Sequence, residues 1–306
     1  MQFLVYILAF PLLWLISMLP HPLFYGLSDI MYLLIYRVFG YRKKVVRNNL
    51  RLVFPEKSKK ERRLIEKKFY RHFCDSLLEM IQGMSLTKSS IKRKYEVQNI
   101  EVMQRIEKTK SILVPCAHYA NWEWNVSINN YVSSKGYAVY QRVNNRYFDR
   151  LIRNIRAKWN TELIPQWQTI KVVIRNHQNN VGAIYGMVSD QAPQAHRAQY
   201  WAPFMGITVP IFTGTEDMAR KLDLAVVFLK VSKVGRGYYQ ATFIPITESG
   251  SKTSKHEITD TFLRLVEAQI REAPEYYLWT HKRWKHRDKV PEEFKGKSDK
   301  KQLGDA

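Results

Sequence analysis

Ser111-Ile112-Leu113-Val114-Pro115-Cys116-Ala117-His118-Tyr119-Ala120-Asn121-Trp122-Glu123 carries a strand, a turn and a helix start in succession. Residues 111–114 form an apolar, partly β-branched run, the pattern of a buried strand. Asn121 has the side chain of an N-cap and predicts a helix over 122–131. His118 is thereby placed at the carboxyl end of a strand, with Glu123 in the first turn of the next helix. In open α/β sheets, ligands bind in the crevice outside the carboxyl ends of the strands. An imidazole and a carboxylate brought together there make a base with an orienting partner.

The spacing alone is a weak signal. With 8 His and 27 acidic residues in 306, roughly 0.7 His-x4-acid matches arise by chance, the usual hazard of a short motif. Of the eight histidines only His118 has an acid five residues on. The competing reading is a satisfied histidine beside a helix-start glutamate. Cys116 lies two residues before His118, on the same face of an extended strand, which is the placement of a Cys/His nucleophilic pair. Free cysteine is also among the most buried residue types, and burial in the core is the favoured expectation.

The chain holds 49 Lys and Arg against 27 Asp and Glu, a formal charge of +22. That exceeds what solubility asks of a domain and points to an anionic partner: nucleic acid, anionic lipid, a phosphorylated substrate or an acidic carrier protein. No nucleic-acid module is recognisable, so no nucleic-acid partner is expected. Two cysteines, Cys74 and Cys116, are too few for a disulfide framework and suit a reducing compartment. His281 and His286 lack acids or cysteines at ligand spacing, so no metal site is expected. There is no glycine-rich nucleotide loop either.

Residues 1–28 contain no charged side chain, counting His21 as neutral. The apolar run 3–19 sits at the lower limit for a membrane span, and the lack of Lys or Arg before it argues against a cleaved secretory signal. A second apolar stretch, 30–36, precedes Arg37, Arg42, Lys43, Lys44 and Arg47. By the positive-inside rule these basic residues put the rest of the chain in the cytoplasm. The alternative is a helical hairpin or interfacial helix within one leaflet. The chain is thus divided into a membrane-anchoring segment with its basic flank (1–47), a main domain (48–288) and a loose charged tail (289–306).

Within the main domain, Ser58 and Glu61 form a capping box ahead of Leu64, Ile65, Phe69, Phe73, Leu77, Leu78 and Ile81 at helical spacing. Beyond 111, apolar runs at 136–141, 161–164, 181–188, 208–211, 224–231 and 238–244 read as strands. Amphipathic segments at 147–158, 169–177, 216–222 and 257–272 read as helices. This alternation predicts an α/β fold with a mixed, largely parallel sheet flanked by helices, behind an N-terminal membrane-anchoring helix. No internal repeat is present.

Several ordered motifs together resemble a known family over nearly the whole chain. They are Gly40-Tyr41-Arg42, Arg47-Asn48-Asn49-Leu50 leading to Phe54-Pro55-Glu56, Phe69-Tyr70-Arg71-His72-Phe73 and His118-Tyr119-Ala120-Asn121-Trp122-Glu123. Next come Asn144-Asn145-Arg146-Tyr147-Phe148-Asp149 with Arg153 and Arg156, then Ser189-Asp190-Gln191. Gly206-Ile207-Thr208-Val209-Pro210-Ile211-Phe212 and Tyr277-Leu278-Trp279-Thr280-His281-Lys282-Arg283-Trp284-Lys285 close the set. The chain resembles the bacterial lipid A biosynthesis acyltransferases, the late or secondary acyltransferases, whose fold is glycerol-3-phosphate acyltransferase-like.

The resemblance implies transfer of a fatty acyl chain from an acyl thioester to a hydroxyl of a lipid A precursor, at the cytoplasmic face of the bacterial inner membrane. The implied donor is acyl carrier protein, whose phosphopantetheine holds the chain, so no separate cofactor is expected. Anionic membrane lipid is the second expected partner. His118 would act as general base and Glu123 would fix its tautomer. Backbone amides near Asn121 and the Arg156 guanidinium would meet the oxyanion. Asp190 and Gln191 would hold the acceptor or Arg156, and Arg283, in the aromatic-basic segment 279–287, would meet phosphates.

Each residue also has a plainer reading. Arg156 is then a solvated helix position, Asp190 and Gln191 a turn of the chain, and Arg283 a strand-end ion pair. At the level of function, the same chemistry on another glycolipid, aminolipid or lysophospholipid stays open. So does a non-enzymatic, basic, membrane-tethered binding protein, which charge alone permits.

Overall fold

The computed structural model describes residues 2–295; the part of the expected tail from 296 onward lies outside the described residues. In chain order its α-helices are α1 (Gln2–Ser17), α2 (His21–Tyr32), α3 (Lys43–Val53), α4 (Lys59–Gln82), α5 (Lys88–Lys94), α6 (Glu101–Ile106), α7 (Arg146–Ala157), α8 (Thr169–Gln178), α9 (Gly214–Leu222) and α10 (Glu257–Glu272). Its strands are β1 (Tyr95–Gln98), β2 (Ile112–Cys116), β3 (Lys135–Tyr140), β4 (Thr161–Pro165), β5 (Ala183–Val188), β6 (Tyr200–Phe204), β7 (Ile207–Ile211), β8 (Ala225–Gly235) and β9 (Tyr238–Thr247).

Every residue of β2 is buried, as expected of a strand covered by helices on both faces. It lies at the middle of a seven-stranded sheet ordered β1-β9-β8-β2-β5-β3-β4. β8, β2, β5, β3 and β4 run parallel. β9 returns antiparallel to β8, and β1 pairs parallel with β9. The sheet is therefore mixed and largely parallel. The expected strand at 208–211 falls elsewhere: β7 pairs only with β6, in a separate two-stranded antiparallel ribbon. The predicted helix after Asn121 forms as a 3₁₀ helix, Trp122–Asn130. The capping box is present, with Ser58 accepting from the Glu61 N–H and Glu61 accepting from the Ser58 N–H.

One apolar core runs from Tyr32, Tyr36 and Val46 through β2 and β8 to Trp279 and Trp284. α3 braces the segment after α10: the Asn49 amide donates to the carbonyls of Trp279 and His281, both at 2.9 Å. α2 is tied to α4 through buried polar groups, with Ser28 donating to Asp75 at 2.7 Å and Tyr25 to Glu79 at 2.8 Å.

The expected N-terminal span is not met by one helix. α1 has 16 residues, about 24 Å at the usual helical rise against a hydrocarbon core of about 30 Å. Pro20 ends it, since the residue before a proline is driven out of the α region. No single helix among the described residues is long and apolar enough to cross a membrane. The segment His21–Val38 and α3 pass by length and composition only as a pair bent by 86°. Leu4, Leu8, Leu12 and Leu15 nevertheless share one face of α1 and are all more than half exposed.

Candidate active site

Parallel register builds the centre of the site. Cys116 at the end of β2 is paired with Val188 at the end of β5, and the Ser189 N–H donates to the Cys116 carbonyl at 3.0 Å. Two residues past each strand end stand His118 and Asp190. His118 Nδ1 lies 2.7 Å from Asp190 Oδ1, and the His118 backbone N–H donates to the same oxygen at 3.1 Å. A carboxylate only accepts, so Nδ1 carries the proton and Nε2 keeps the lone pair. The Gln191 amide nitrogen stands 3.3 Å from that Nε2, and the Trp122 ring meets the imidazole edge to face.

The turn holding His118 is fixed from outside. The segment after α10 bridges onto it, with the Leu278 N–H donating to the His118 carbonyl and the Ala120 N–H to the Tyr276 carbonyl. Ala120 takes a left-handed φ of +50°, a strained conformation for a residue with a Cβ that its surroundings must enforce.

Asp190, not Glu123, is thus the partner that orients His118. Glu123 instead forms a bidentate pair with Arg156, whose Nη2 donates to the two carboxylate oxygens at 2.9 and 2.8 Å and whose Nε donates at 3.1 Å. Both side chains are partly exposed. The physical reason is geometric. Glu123 leaves the turn along the 3₁₀ helix toward α7, whereas Asp190 arrives on the adjacent strand in register with His118.

Burial works against a charged imidazole at His118, but the Asp190 carboxylate, helped by Glu123, outweighs it and lifts its pKa above the ordinary histidine value. Burial likewise penalises the Asp190 charge, yet His118 and Arg283 keep that carboxyl below the usual range. The pair is polarised in the sense a base needs: an acceptor nitrogen whose protonated form is stabilised in place.

One other expectation is corrected. Arg283 does not reach a membrane surface. It is buried at 1% exposure, with its Nε donating to the Asp190 carbonyl at 2.6 Å and its Nη1 to the Pro210 carbonyl at 3.3 Å. It is a strut under the Asp190 turn. Asn121 is the expected N-cap: its Oδ1 accepts from the Trp124 N–H, and because its Nδ2 donates to Glu79, both ends of the buried amide are committed. What the turn still offers a ligand is backbone, because the first N–H groups of a helix have no acceptor within it.

Sequence reasoning did not single out Glu79. This fully buried carboxylate accepts from Tyr25, Tyr239 and Asn121, so it links α2, β9 and the His118 turn. The signal was a single acid within the apolar run Leu77-Leu78-Glu79-Met80-Ile81 of α4, which marks a carboxylate on a helix's packed face.

Cys116 is in the core. Burial pushes its thiol up to about 12, and Asn125 donates to its sulfur at 3.4 Å. The sulfur is buried against the Met187 carbonyl and the Asn125 amide and makes no hydrogen bond to His118, so the two do not form a nucleophilic pair. Cys116→Ala is therefore expected to keep kcat within about threefold and to cost about 1–2 kcal/mol of stability from the small cavity. A loss of activity without unfolding, followed by turnover assay and thermal melting, would contradict this.

Beside the Glu123–Arg156 pair, Met80, Trp124, Val126, Ile152, Ile155 and Trp159 line an apolar pocket. Among the described residues no group of three or more His, Cys, Asp or Glu is placed to hold a metal ion.

A family model described as bacterial lipid A biosynthesis acyltransferase matches residues 1–286. The chain is 27% identical over 292 residues to the lipid A biosynthesis lauroyltransferase of Escherichia coli K12, covering 94% of each protein. It is 24% identical over 283 residues to the lipid A biosynthesis palmitoleoyltransferase of the same organism, covering 90% of this chain and 89% of that one. A lipid A biosynthesis acyltransferase of Shigella flexneri matches to the same extent.

Proposed function

The chain belongs to the bacterial lipid A biosynthesis acyltransferases, and from that premise we propose that it moves a fatty acyl chain from an acyl thioester to a hydroxyl of a lipid A precursor, with His118 as the general base. The observation that carries the mechanism is the 2.7 Å contact between His118 Nδ1 and Asp190, which leaves the Nε2 lone pair, met by the Gln191 amide at 3.3 Å, for the acceptor hydroxyl to take over.

A hydroxyl is a poor nucleophile until its proton is removed as it attacks. Nε2 takes that proton while the acceptor oxygen bonds to the thioester carbonyl carbon, and the carbonyl electrons move onto oxygen. Collapse of the tetrahedral intermediate breaks the C–S bond, and the leaving thiolate recovers the proton from the imidazolium. Asp190 stabilises that imidazolium, the part an aspartate plays behind a catalytic histidine. No enzyme nucleophile is required, because the acceptor hydroxyl fills that place.

The oxyanion is met by the backbone N–H groups that open the 3₁₀ helix after Asn121. Gln191, next to Nε2, positions the acceptor oxygen. The Glu123 carboxylate gives protonated His118 a smaller second support, and Arg156 holds that carboxylate in place.

The donor is acyl carrier protein, an acidic partner suited to a chain of charge +22, and its phosphopantetheine makes a further cofactor unnecessary. The exposed leucines of α1 support association with one leaflet of the inner membrane, the basic body of the protein lying on the cytoplasmic side against anionic lipid.

The experiment that tests this reading is mass spectrometry of lipid A from cells lacking the protein, complemented with wild type or His118→Ala. Loss of one acyl mass, restored by wild type and not by the variant, is the expected result. An unchanged lipid A profile in a strain with no redundant acyltransferase would move the acceptor to another lipid.

A further inference from the structure

The acyl-transfer chemistry leaves unused a basic cleft of about 820 Å³ between α7, the start of β3 and β4. Arg142, Arg146, Arg150 and Arg153 stand along it, all exposed. The last three are spaced four and three residues apart on α7 and so share one face of the helix. Arg156, three residues beyond Arg153, sits about 60° further round the axis, at the edge of the row, and meets Glu123. One helix therefore shows a guanidinium to the reaction centre and a row of them to the cleft.

Among the described residues no carboxylate forms an ion pair with that row. Arg142 lies over the Trp167 ring, and Arg146 lies over the Tyr147 ring and donates to its hydroxyl. Of the acids in the cleft, Asp149 is buried and accepts the Val143 N–H at 3.0 Å, and Glu162 is paired with Lys135. Like charges one turn apart on a helix repel, so an anion in the cleft relieves a cost the fold leaves standing. Guanidinium forks match phosphate in geometry as well as charge.

The neighbours of the cleft favour a lipid over a protein partner. Phe3 and Tyr6 of α1 pack on Tyr147 at 5.2 and 5.6 Å between ring centroids, and Tyr6 packs on Phe148 at 5.7 Å. The apolar exposed face of α1 thus begins where the arginine row begins. A molecule with hydrocarbon chains and a phosphorylated head fits both surfaces at once.

We infer that the α7 cleft receives the phosphate groups of the acceptor glycolipid and so holds its head while the acyl-chain hydroxyl reaches His118. This rests on the acyl-transfer reading above.

The test uses full-length wild type and the double variant Arg150→Gln/Arg153→Gln in mixed micelles. The acceptors are an intact lipid A precursor and the same lipid after enzymatic removal of its phosphates. For the intact acceptor, the variant is expected to raise KM by about 10- to 100-fold, the worth of lost charge-assisted contacts, with kcat little changed. KM for the dephosphorylated acceptor and for the acyl carrier donor should stay as in wild type, as should sedimentation with phosphatidylglycerol vesicles.

An unchanged KM for the intact acceptor, or an equal rise for both acceptors, would overturn the inference. A rise confined to the donor would make the cleft a dock for the carrier protein. Lost vesicle binding with normal micellar KM would make it a general membrane contact. If wild type acylates neither lipid, the acyl-transfer reading itself fails. Equilibrium binding of the two lipids to both proteins then still decides whether the cleft selects phosphate.

Discussion

Replacing His118 with alanine is expected to lower kcat by about 10²- to 10⁴-fold, the contribution of a positioned general base, while KM for both substrates changes little. His118 is held by Asp190 and Gln191 and has only 19% of its side chain exposed, so it contributes little surface for binding the ground state. The deletion leaves Asp190 without its imidazole donor. The carboxylate still accepts the backbone N–H of residue 118, at 3.1 Å in the wild type, and the neighbouring Arg283 charge remains. The fold should therefore survive, and circular dichroism melting together with steady-state turnover separates lost chemistry from lost structure. A folded His118→Ala protein with kcat within about threefold of wild type would remove the residue from the mechanism.

Asp190→Asn should be nearly as damaging, and its pH dependence is diagnostic. The side chain keeps its shape but loses the charge that fixes the tautomer and stabilises the imidazolium, a loss worth up to about 10⁴-fold in a related arrangement. The reactive form is neutral His118, so activity rises with pH through its pKa. In wild type that rise lies above the ordinary histidine range, because the Asp190 charge outweighs the opposing effect of burial. Without the charge, burial dominates and the rise moves to lower pH. The variant-to-wild-type ratio should thus be smallest on the alkaline plateau and improve as pH falls. A folded variant whose kcat/KM profile keeps its acidic limb in place would show that Asp190 does not set the His118 titration.

How much of this was legible in the sequence depends on whether the signal was local. The strand-turn-cap segment around His118 is written in adjacent residues, and β2, the Asn121 cap and the 3₁₀ helix appear close to where they were expected. α10 has the predicted bounds, because its apolar residues recur at helical spacing over four turns. β1 and β6 were not anticipated. β1 has four residues, two of them polar, and β6 contains Pro203, so neither carries a period strong enough to read.

The identity of the carboxylate was the larger miss. His118 and Asp190 lie 72 residues apart, and only strand order makes them neighbours. Both stand two residues beyond an apolar run, a hint that becomes decisive once β2 and β5 are known to be adjacent. Arg283 misled for a related reason. A lysine- and tryptophan-rich segment reads as surface, and the carbonyls of Asp190 and Pro210 that bury the guanidinium come from distant parts of the chain. The N-terminal run 3–19 was legible as apolar and ends with α1 close to where it was expected; α2 begins at His21, well before the second apolar stretch at 30–36.

The shared register of β2 and β5 bears on how such a protein diversifies. In the proposed mechanism the base and its partner are delivered by backbone pairing inside the sheet, and the segments 192–199 after β5 and α7 after β3 take no part in that pairing. A lineage can lengthen, recharge or reshape those segments without displacing the proton-transfer pair by the fraction of an ångström that would silence it. Reactivity is inherited with the scaffold, and selectivity is rewritten around it. Swapping the 192–199 segment or the exposed face of α7, with Gln191 and Arg156 kept, is therefore the natural route to redirecting an enzyme of this build, and mutating the ends of β2 and β5 is the sure way to destroy one.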